Sequence, residues 1–163
     1  MTQRKFDIIV WGATGFTGKL VAEYLNEAYT GNPKLTWAIA GRSKDKCKKV
    51  KQELIALKSE AKDLEIIIAD SFDLESLRKM VAQTTVICTT VGPYSEYGHA
   101  LVEACVEEGT HYCDLTGESH FVRQMIDTHH EKAQKKQLKI VHASGFDSIP
   151  SDLGVLFTQE RFK

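Results

Sequence analysis

Short apolar runs alternate with longer amphipathic segments along the whole chain. There are six such runs, over residues 6–11, 35–40, 64–69, 85–91, 110–115 and 139–143, and most of them are rich in Ile, Val and Thr and apolar rather than alternating. Strands that are covered by helices on both faces have this pattern, whereas a strand with one exposed face alternates. The runs therefore predict the strands of a parallel sheet.

The segments between the runs have the apolar spacing of helices with one buried face. Four of them predict buried positions at Leu20, Val21, Tyr24, Leu25 and Ala28, at Cys47, Val50, Leu54 and Leu57, at Leu74, Leu77 and Val81, and at Ala100, Leu101, Ala104 and Cys105. A fifth, over 119–136, has Phe121, Met125 and Ala133 on one side. With right-handed crossovers, these repeats predict a doubly wound α/β fold with a parallel sheet of about six strands.

The 163 residues correspond to one domain, which we expect to occupy residues 1–150. Ser151 and Asp152 are typical of a helix start, and Leu153 begins an apolar face. We expect residues 151–163 to begin a helix that leads to a second domain beyond this chain.

Composition narrows the possible partners. The chain has 21 basic and 22 acidic residues, a formal charge of −1, so it lacks the positive field that favours nucleic-acid binding. Its four cysteines have neither C-x-x-C nor Cys/His ligand spacing, so we expect reduced thiols and no metal site. Neither a secretory signal nor a membrane-length apolar stretch of roughly 18 residues is visible, which predicts a soluble, intracellular protein.

A glycine-rich turn, G-x-x-G-x-x-G, joins the first run to the first predicted helix. Its glycines suit, in order, a tight turn, close approach of backbone N–H groups to a pyrophosphate, and close helix–strand packing. The helix N-terminus adds unpaired N–H donors for the anion. The turn predicts a dinucleotide site that includes Gly12, Thr14, Gly15, Phe16, Thr17 and Gly18.

This turn has two alternative interpretations. A loop that only packs tightly would use the same glycines. A triphosphate-binding loop is excluded, because Leu20 follows Lys19 where Ser or Thr should coordinate Mg²⁺.

The end of the second run favours NADP(H) over NAD(H). An NAD site usually places a carboxylate there for the ribose 2′-hydroxyl, whereas this chain has Arg42 and Ser43. The forked guanidinium donors suit a 2′-phosphate, and Lys44 and Lys46 add diffuse attraction. A solvated loop arginine is the alternative.

Later turns add cofactor candidates. Asp70 is predicted to accept from the adenine amino group, and Asp73 to cap the following helix. Gly92 allows close backbone approach and Pro93 fixes the chain as it leaves the fourth run. Tyr94 either borders the nicotinamide ribose or packs.

Candidates for catalysis lie where the fifth and sixth predicted strands end, since ligands bind at the carboxyl ends of such strands. They are Asp114, Glu118 and Asp147. Alternatively, Glu118 belongs to a helix start and Asp147 caps a turn. The Tyr-x-x-x-Lys pair of short-chain dehydrogenases and the Gly-x-Ser-x-Gly elbow are both absent from the sequence, and His142 has no partner at ligand spacing.

Taken together, the motifs at 12–18, 40–43, 91–94, 112–118 and 145–152 resemble the N-terminal domain of saccharopine dehydrogenase-like oxidoreductases. The resemblance implies an NAD(P)-binding Rossmann domain, with a second α/β domain for substrate and dimer contacts. It also implies relatives that act on lipid or glycolipid intermediates or reside at lipid droplets and mitochondria.

Two functions follow from the sequence. The first is the cofactor domain of an NADP(H)-dependent oxidoreductase that acts on a small molecule, of lipid or amino-acid origin, and is inactive as an isolated domain. The second is a non-catalytic NADP(H) sensor or scaffold of a membrane- or lipid-droplet-associated complex. We expect a homodimer through the missing domain, and membrane association only for the full-length protein.

Overall fold

Six parallel strands form one sheet in the computed structural model, which describes residues 4–32 and 34–162. The strands are β1 (Phe6–Trp11), β2 (Trp37–Gly41), β3 (Glu65–Ile68), β4 (Thr84–Thr89), β5 (His111–Cys113) and β6 (Ile140–Val141). The α-helices are α1 (Phe16–Tyr29), α2 (Lys44–Leu57), α3 (Leu74–Val81), α4 (Tyr94–Tyr97), α5 (His99–Glu108), α6 (Ser119–Lys135) and α7 (Ile149–Arg161), and a 3₁₀ turn spans Ser59–Asp63.

The strand order is β3-β2-β1-β4-β5-β6, which confirms the doubly wound α/β fold. Ile9 of β1 pairs with Ala38 of β2 on one side and with Ile87 of β4 on the other. The order therefore reverses between β1 and β4. In such sheets the ligand crevice lies at this reversal, outside the carboxyl ends of the strands.

Alternating side chains of the central strands fill two cores, one on each face. Val10 and Ile39 pack with α1 and α2 in one cluster. Ile9, Ile87 and Tyr112 pack with α3, α5 and α6 in the other. The cover on both faces explains why the strands read as continuous apolar runs.

The predicted buried face of α1 is wrong at three positions. Leu20 is 51% and Tyr24 62% exposed, and Ala28 is also exposed, whereas Gly18 and Ala22 are buried together with Leu25. The reason is the close approach of Gly18 to the turn before α1, which directs the small residues to the sheet. Large apolar side chains on the neighbouring face then meet solvent.

Helix α7 begins at Ile149, two residues before the predicted start at Ser151. All of its residues are exposed, and Leu153, Leu156 and Phe157 are each between 50% and 60% exposed. Among residues 4–32 and 34–162, no helix combines the length and the apolar character needed to cross a membrane.

Candidate cofactor and active site

The turn between β1 and α1 needs glycine at two positions for different reasons. Gly12 has a φ of +92°, a region that L side chains rarely adopt. At Gly18 a Cβ would lie 2.1 Å from the Gly12 carbonyl oxygen, so α1 packs directly on the turn. Gly15 is the N-cap of α1 and is exposed. The turn thus presents the first N–H groups of α1 at the carboxyl edge of the sheet.

A pocket of about 290 Å³ opens beside this turn. Its lining includes Trp11, Gly12, Thr14, Arg42, Ser43 and Lys46. The Ser43 hydroxyl accepts from the Lys46 N–H at 3.4 Å and caps α2, which fixes the turn that carries Arg42. The structure therefore brings four predicted cofactor residues into one pocket, with two cationic side chains on its wall.

Trp11 supplies an unpaired donor at this pocket. The residue is 2% exposed, and its indole Nε1 has no hydrogen-bond partner in the part of the chain that the structure describes. A buried N–H without an acceptor is unusual in a folded protein, and a bound ligand with an acceptor atom would satisfy it. Together with the glycine turn and the two cations, this donor fits a phosphate-rich dinucleotide.

Other predicted cofactor residues lie outside the lining. Phe16 and Thr17 are exposed at the first turn of α1. One carboxylate oxygen of Asp70 accepts from the Phe72 N–H at 3.0 Å, while Ser71 lines the pocket in its place. Asp73 caps α3 as predicted. Its carboxylate accepts from the N–H groups of Glu75 at 3.1 Å and Ser76 at 3.2 Å.

The turn after β4 is held in place by hydrogen bonds of Tyr94 to Thr89 and to Glu118. Gly92 and Pro93 are exposed and joined by a cis peptide bond, but Tyr94 is buried and donates its hydroxyl to the Thr89 carbonyl at 3.2 Å. Burial raises the pKa of Tyr94 to about 12. Of the two alternatives for Tyr94, the structure has it packed in the core.

The Glu118 carboxylate, in the turn after β5, caps the N-terminus of α4. It accepts from the backbone N–H groups of Tyr94 at 2.6 Å and Ser95 at 2.9 Å. Hydrogen bonds from Ser95, then from Tyr94, hold the pKa of Glu118 below its usual value. The carboxylate therefore joins the turn after β5 to the turn after β4.

Asp114 is the centre of a buried hydrogen-bond network at the end of β5. Its carboxylate accepts from the Tyr112 hydroxyl at 2.8 Å and from the N–H groups of Thr116 at 3.1 Å and Ala143 at 3.0 Å. His142 Nδ1 lies 2.7 Å from it. Burial would raise the pKa of Asp114, but hydrogen bonds, first of all from His142, outweigh burial and lower it.

His142 is a site residue that sequence reasoning missed. It directly follows β6, as Asp114 directly follows β5, and β5 and β6 are adjacent parallel strands. Their carboxyl ends meet at one edge, so this position in the pattern could have suggested the pair. Asp147 lies apart from them, exposed in the turn before α7.

The comparisons with known proteins identify the family. The Saccharopine dehydrogenase NADP binding domain family matches residues 8–141. The chain belongs to this family. Membership confirms the expected NADP(H)-binding Rossmann domain, and with it the preference for NADP(H) suggested by Arg42.

Curated relatives are similar in sequence over most of the chain. The trans-acting enoyl reductase of Mycobacterium tuberculosis strain H37Rv is 46% identical over 153 residues, 94% of this chain, and that of Mycobacterium leprae is 44% identical over the same length. The chain spans 35% of the length of these curated relatives.

The fold is shared with the L-glutamate-forming saccharopine dehydrogenase of Saccharomyces cerevisiae. The TM-score is 0.67 and the sequence identity 17%, over 87% of this chain and 28% of that one. At this identity the likeness concerns the fold alone.

Proposed function

We propose that this NADP-binding domain serves an enoyl reductase, which adds hydrogen across the carbon–carbon double bond of an unsaturated acyl group. The observation that supports NADPH binding is that the glycine turn and Arg42 line one pocket. The relatives named as trans-acting enoyl reductases support the substrate class.

The residues of the pocket have separable tasks in this proposal. The start of α1 receives the pyrophosphate, because the first N–H groups of a helix have no acceptor within the helix. The Gly12 N–H takes no part, since it donates to the Ala40 carbonyl of β2. Arg42 and Lys46 hold the 2′-phosphate, which distinguishes NADPH from NADH. When bound, NADPH supplies the hydride for one alkene carbon.

The neighbouring alkene carbon needs a proton, and Asp114 and Glu118 are poorly suited to donate it. Both carboxylates accept hydrogen bonds that lower their pKa, so both are anions at neutral pH. In our proposal they position the turns after β4, β5 and β6. A catalytic role for Asp114, Glu118 or Asp147 stays a prediction.

The acyl group, in this proposal, arrives attached to a different protein. The relatives are named as trans-acting, and this name supports our proposal that a separate protein carries the acyl group. Homodimerisation, and a location at lipid droplets or mitochondria, stay predictions from the sequence.

A non-catalytic NADP(H) sensor is the second candidate. The observation that favours it is the structural engagement of both Asp114 and Glu118 in hydrogen bonds at the carboxyl edge. A sensor would bind NADPH with the same pocket but would not oxidise it when an enoyl substrate is added.

Calorimetric titration of the protein with NADPH and NADH tests the proposed NADPH binding. We expect NADPH to bind more tightly, and Arg42→Ala to remove most of that preference. Arg123→Ala is the matched control, since Arg123 pairs with Asp127 on the exposed face of α6. Equal affinity for both nucleotides in the unchanged protein would contradict the proposal.

The enzymatic activity is tested by following NADPH absorbance with the full-length protein and an enoyl thioester on a carrier protein. Consumption of NADPH with formation of the saturated thioester, detected by mass spectrometry, is the expected result. Tight NADPH binding without consumption, across short and long acyl chains, would instead favour the sensor.

A further inference from the structure

Two cysteines occupy paired positions on adjacent strands. Cys88 of β4 and Cys113 of β5 are register partners in the parallel ladder. Hydrogen-bonded strands lie about 4.8 Å apart. That spacing is within the roughly 4.4–6.8 Å that separates the Cα atoms of disulfide-bonded cysteines.

Both side chains point to the same face of the sheet. Their neighbours Ile87 and Tyr112 belong to the core beneath α3, α5 and α6, so alternation directs the two cysteines to the opposite face. On that face Cys88 pairs with Val10 of β1. The two sulfur atoms are therefore neighbours on one surface of the sheet.

Burial separates this pair from the other two cysteines. Cys88 and Cys113 are half-buried, whereas Cys47 and Cys105 are 0% exposed. We therefore expect a small reagent to react with the first two cysteines before the two core cysteines in the folded protein.

We propose that Cys88 and Cys113 are a dithiol that a hydroperoxide converts to a reversible disulfide. This site lies outside the cofactor pocket and does not depend on the proposed function. Because Thr89 and Asp114 follow the two cysteines, the bond would join β4 to β5 directly beneath the carboxyl edge.

The pKa values of the two thiols shift in opposite directions, which suits the roles of attacking and resolving cysteine. The neighbouring Cys113 thiol lowers the pKa of Cys88, although burial opposes this effect. The same contact with Cys88, followed by burial, raises the pKa of Cys113. The thiolate is the nucleophile in such reactions, so Cys88 attacks and Cys113 resolves.

The reaction takes place in two steps. The Cys88 thiolate attacks one peroxide oxygen, the O–O bond breaks, and hydroxide leaves and is protonated to water, giving a sulfenic acid. Cys113 sulfur then attacks Cys88 sulfur, the S–O bond breaks, and the Cys113 proton leaves with that oxygen as a second water. Each sulfur is oxidised by one electron, and the peroxide is reduced by two.

Peptide mapping tests the proposal on the folded protein. Trypsin has no site between Lys79 and Arg123, so it leaves three cysteines in one peptide. Cleavage after glutamate separates them into residues 76–96, 104–107 and 109–118. After hydrogen peroxide and alkylation, we expect peptides 76–96 and 109–118 to be linked with the loss of two hydrogens, and separated again by dithiothreitol.

Single variants assign the roles. Cys113→Ser should accumulate a Cys88 sulfenic acid that dimedone traps, and Cys88→Ser should show neither the link nor the trapped acid. Circular dichroism before and after peroxide verifies that each protein remains folded. Peptide 104–107, which carries Cys105, is the internal control and should stay unlinked.

Three results would overturn the proposal. One is sulfinic acid at Cys88 while Cys113 remains a free thiol. The second is a disulfide that includes Cys47 or Cys105. The third is equal alkylation of all four cysteines in the folded protein, which would mean that the pair is no more accessible than the core thiols.

Discussion

His142 Nδ1 lies 2.7 Å from a carboxylate oxygen of Asp114, and this contact joins the end of β6 to the end of β5. The Asp114 side chain is fully buried and that of His142 is 9% exposed. A carboxylate accepts hydrogen bonds only, so the imidazole N–H points to Asp114. The same carboxylate accepts a hydrogen bond from the Ala143 N–H. Ala143 has a φ of +55°, which is uncommon for a residue with a side chain.

Asp114→Asn should destabilise the protein, because an amide nitrogen would face donors that now meet an oxygen. We expect the free energy of unfolding at neutral pH to fall by about 1.5–3 kcal/mol. Urea unfolding followed by circular dichroism measures the change. Asp127→Asn, on the exposed face of α6, is the matched control and should cost less than about 1 kcal/mol.

The effect of Asp114→Asn should also depend on pH. The folded-state pKa of Asp114 lies below its ordinary value of 3.8, so its stabilising contribution is complete above the unfolded pKa. The contribution is lost as the pH falls through the folded pKa. The difference between the two proteins should therefore shrink below about pH 4. A difference that stays constant down to acid unfolding would argue against the buried carboxylate as its source.

The strands and the glycine turn could be predicted from the sequence because local rules determine them. Continuous apolar runs require cover on both faces, and Gly12 and Gly18 have no substitute at a left-handed φ and a close backbone contact. The buried face of α1 was not readable, since the approach of Gly18 to the turn sets the rotation of that helix. Apolar spacing alone favoured Leu20 and Tyr24.

The site residues divide in the same way, into those placed by a local motif and those placed by contacts between distant segments. Arg42 and Ser43 sit where a local motif places them, at the end of β2, and both line the pocket. The Asp114–His142 contact joins residues 28 positions apart and depends on β5 and β6 being neighbours. Likewise, the Glu118 carboxylate reaches back to α4, which no spacing rule within its own segment predicts.

Glu118→Gln should loosen the turn after β4, because a neutral amide is a weaker acceptor for the N–H groups of Tyr94 and Ser95. We expect hydrogen exchange at these two amides to accelerate, with a loss of stability of about 1 kcal/mol, as for other helix caps. Glu103→Gln, on the exposed side of α5, is the control. Unchanged exchange at both amides would show that the cap contributes nothing.

Gly18→Ala should damage both the fold and the cofactor site. The new Cβ would meet the Gly12 carbonyl oxygen at 2.1 Å and its carbon at 2.7 Å, and neither backbone atom can rotate away. We expect a loss of about 1–3 kcal/mol in stability and weaker NADPH binding, because α1 must shift. Gly154→Ala is the opposite case: its Cβ meets nothing within 4 Å, and alanine in α7 should add about 0.5–1 kcal/mol of stability. Equal thermal shifts for the two variants would contradict the steric argument.

Trp11 should report on cofactor binding, because it lines the pocket and its buried indole Nε1 has no hydrogen-bond partner among residues 4–32 and 34–162. The chain has two tryptophans, and Trp37 stands at the start of β2, at the opposite end of the sheet. We expect NADP⁺, whose absorbance does not overlap tryptophan emission, to change the fluorescence saturably. Trp37→Phe should preserve this signal and the affinity. Trp11→Phe should abolish most of the signal and weaken binding by about twofold to tenfold, the effect of one lost hydrogen bond. If Trp11→Phe binds NADP⁺ as tightly as the unchanged protein in calorimetry, the indole N–H is not a cofactor ligand.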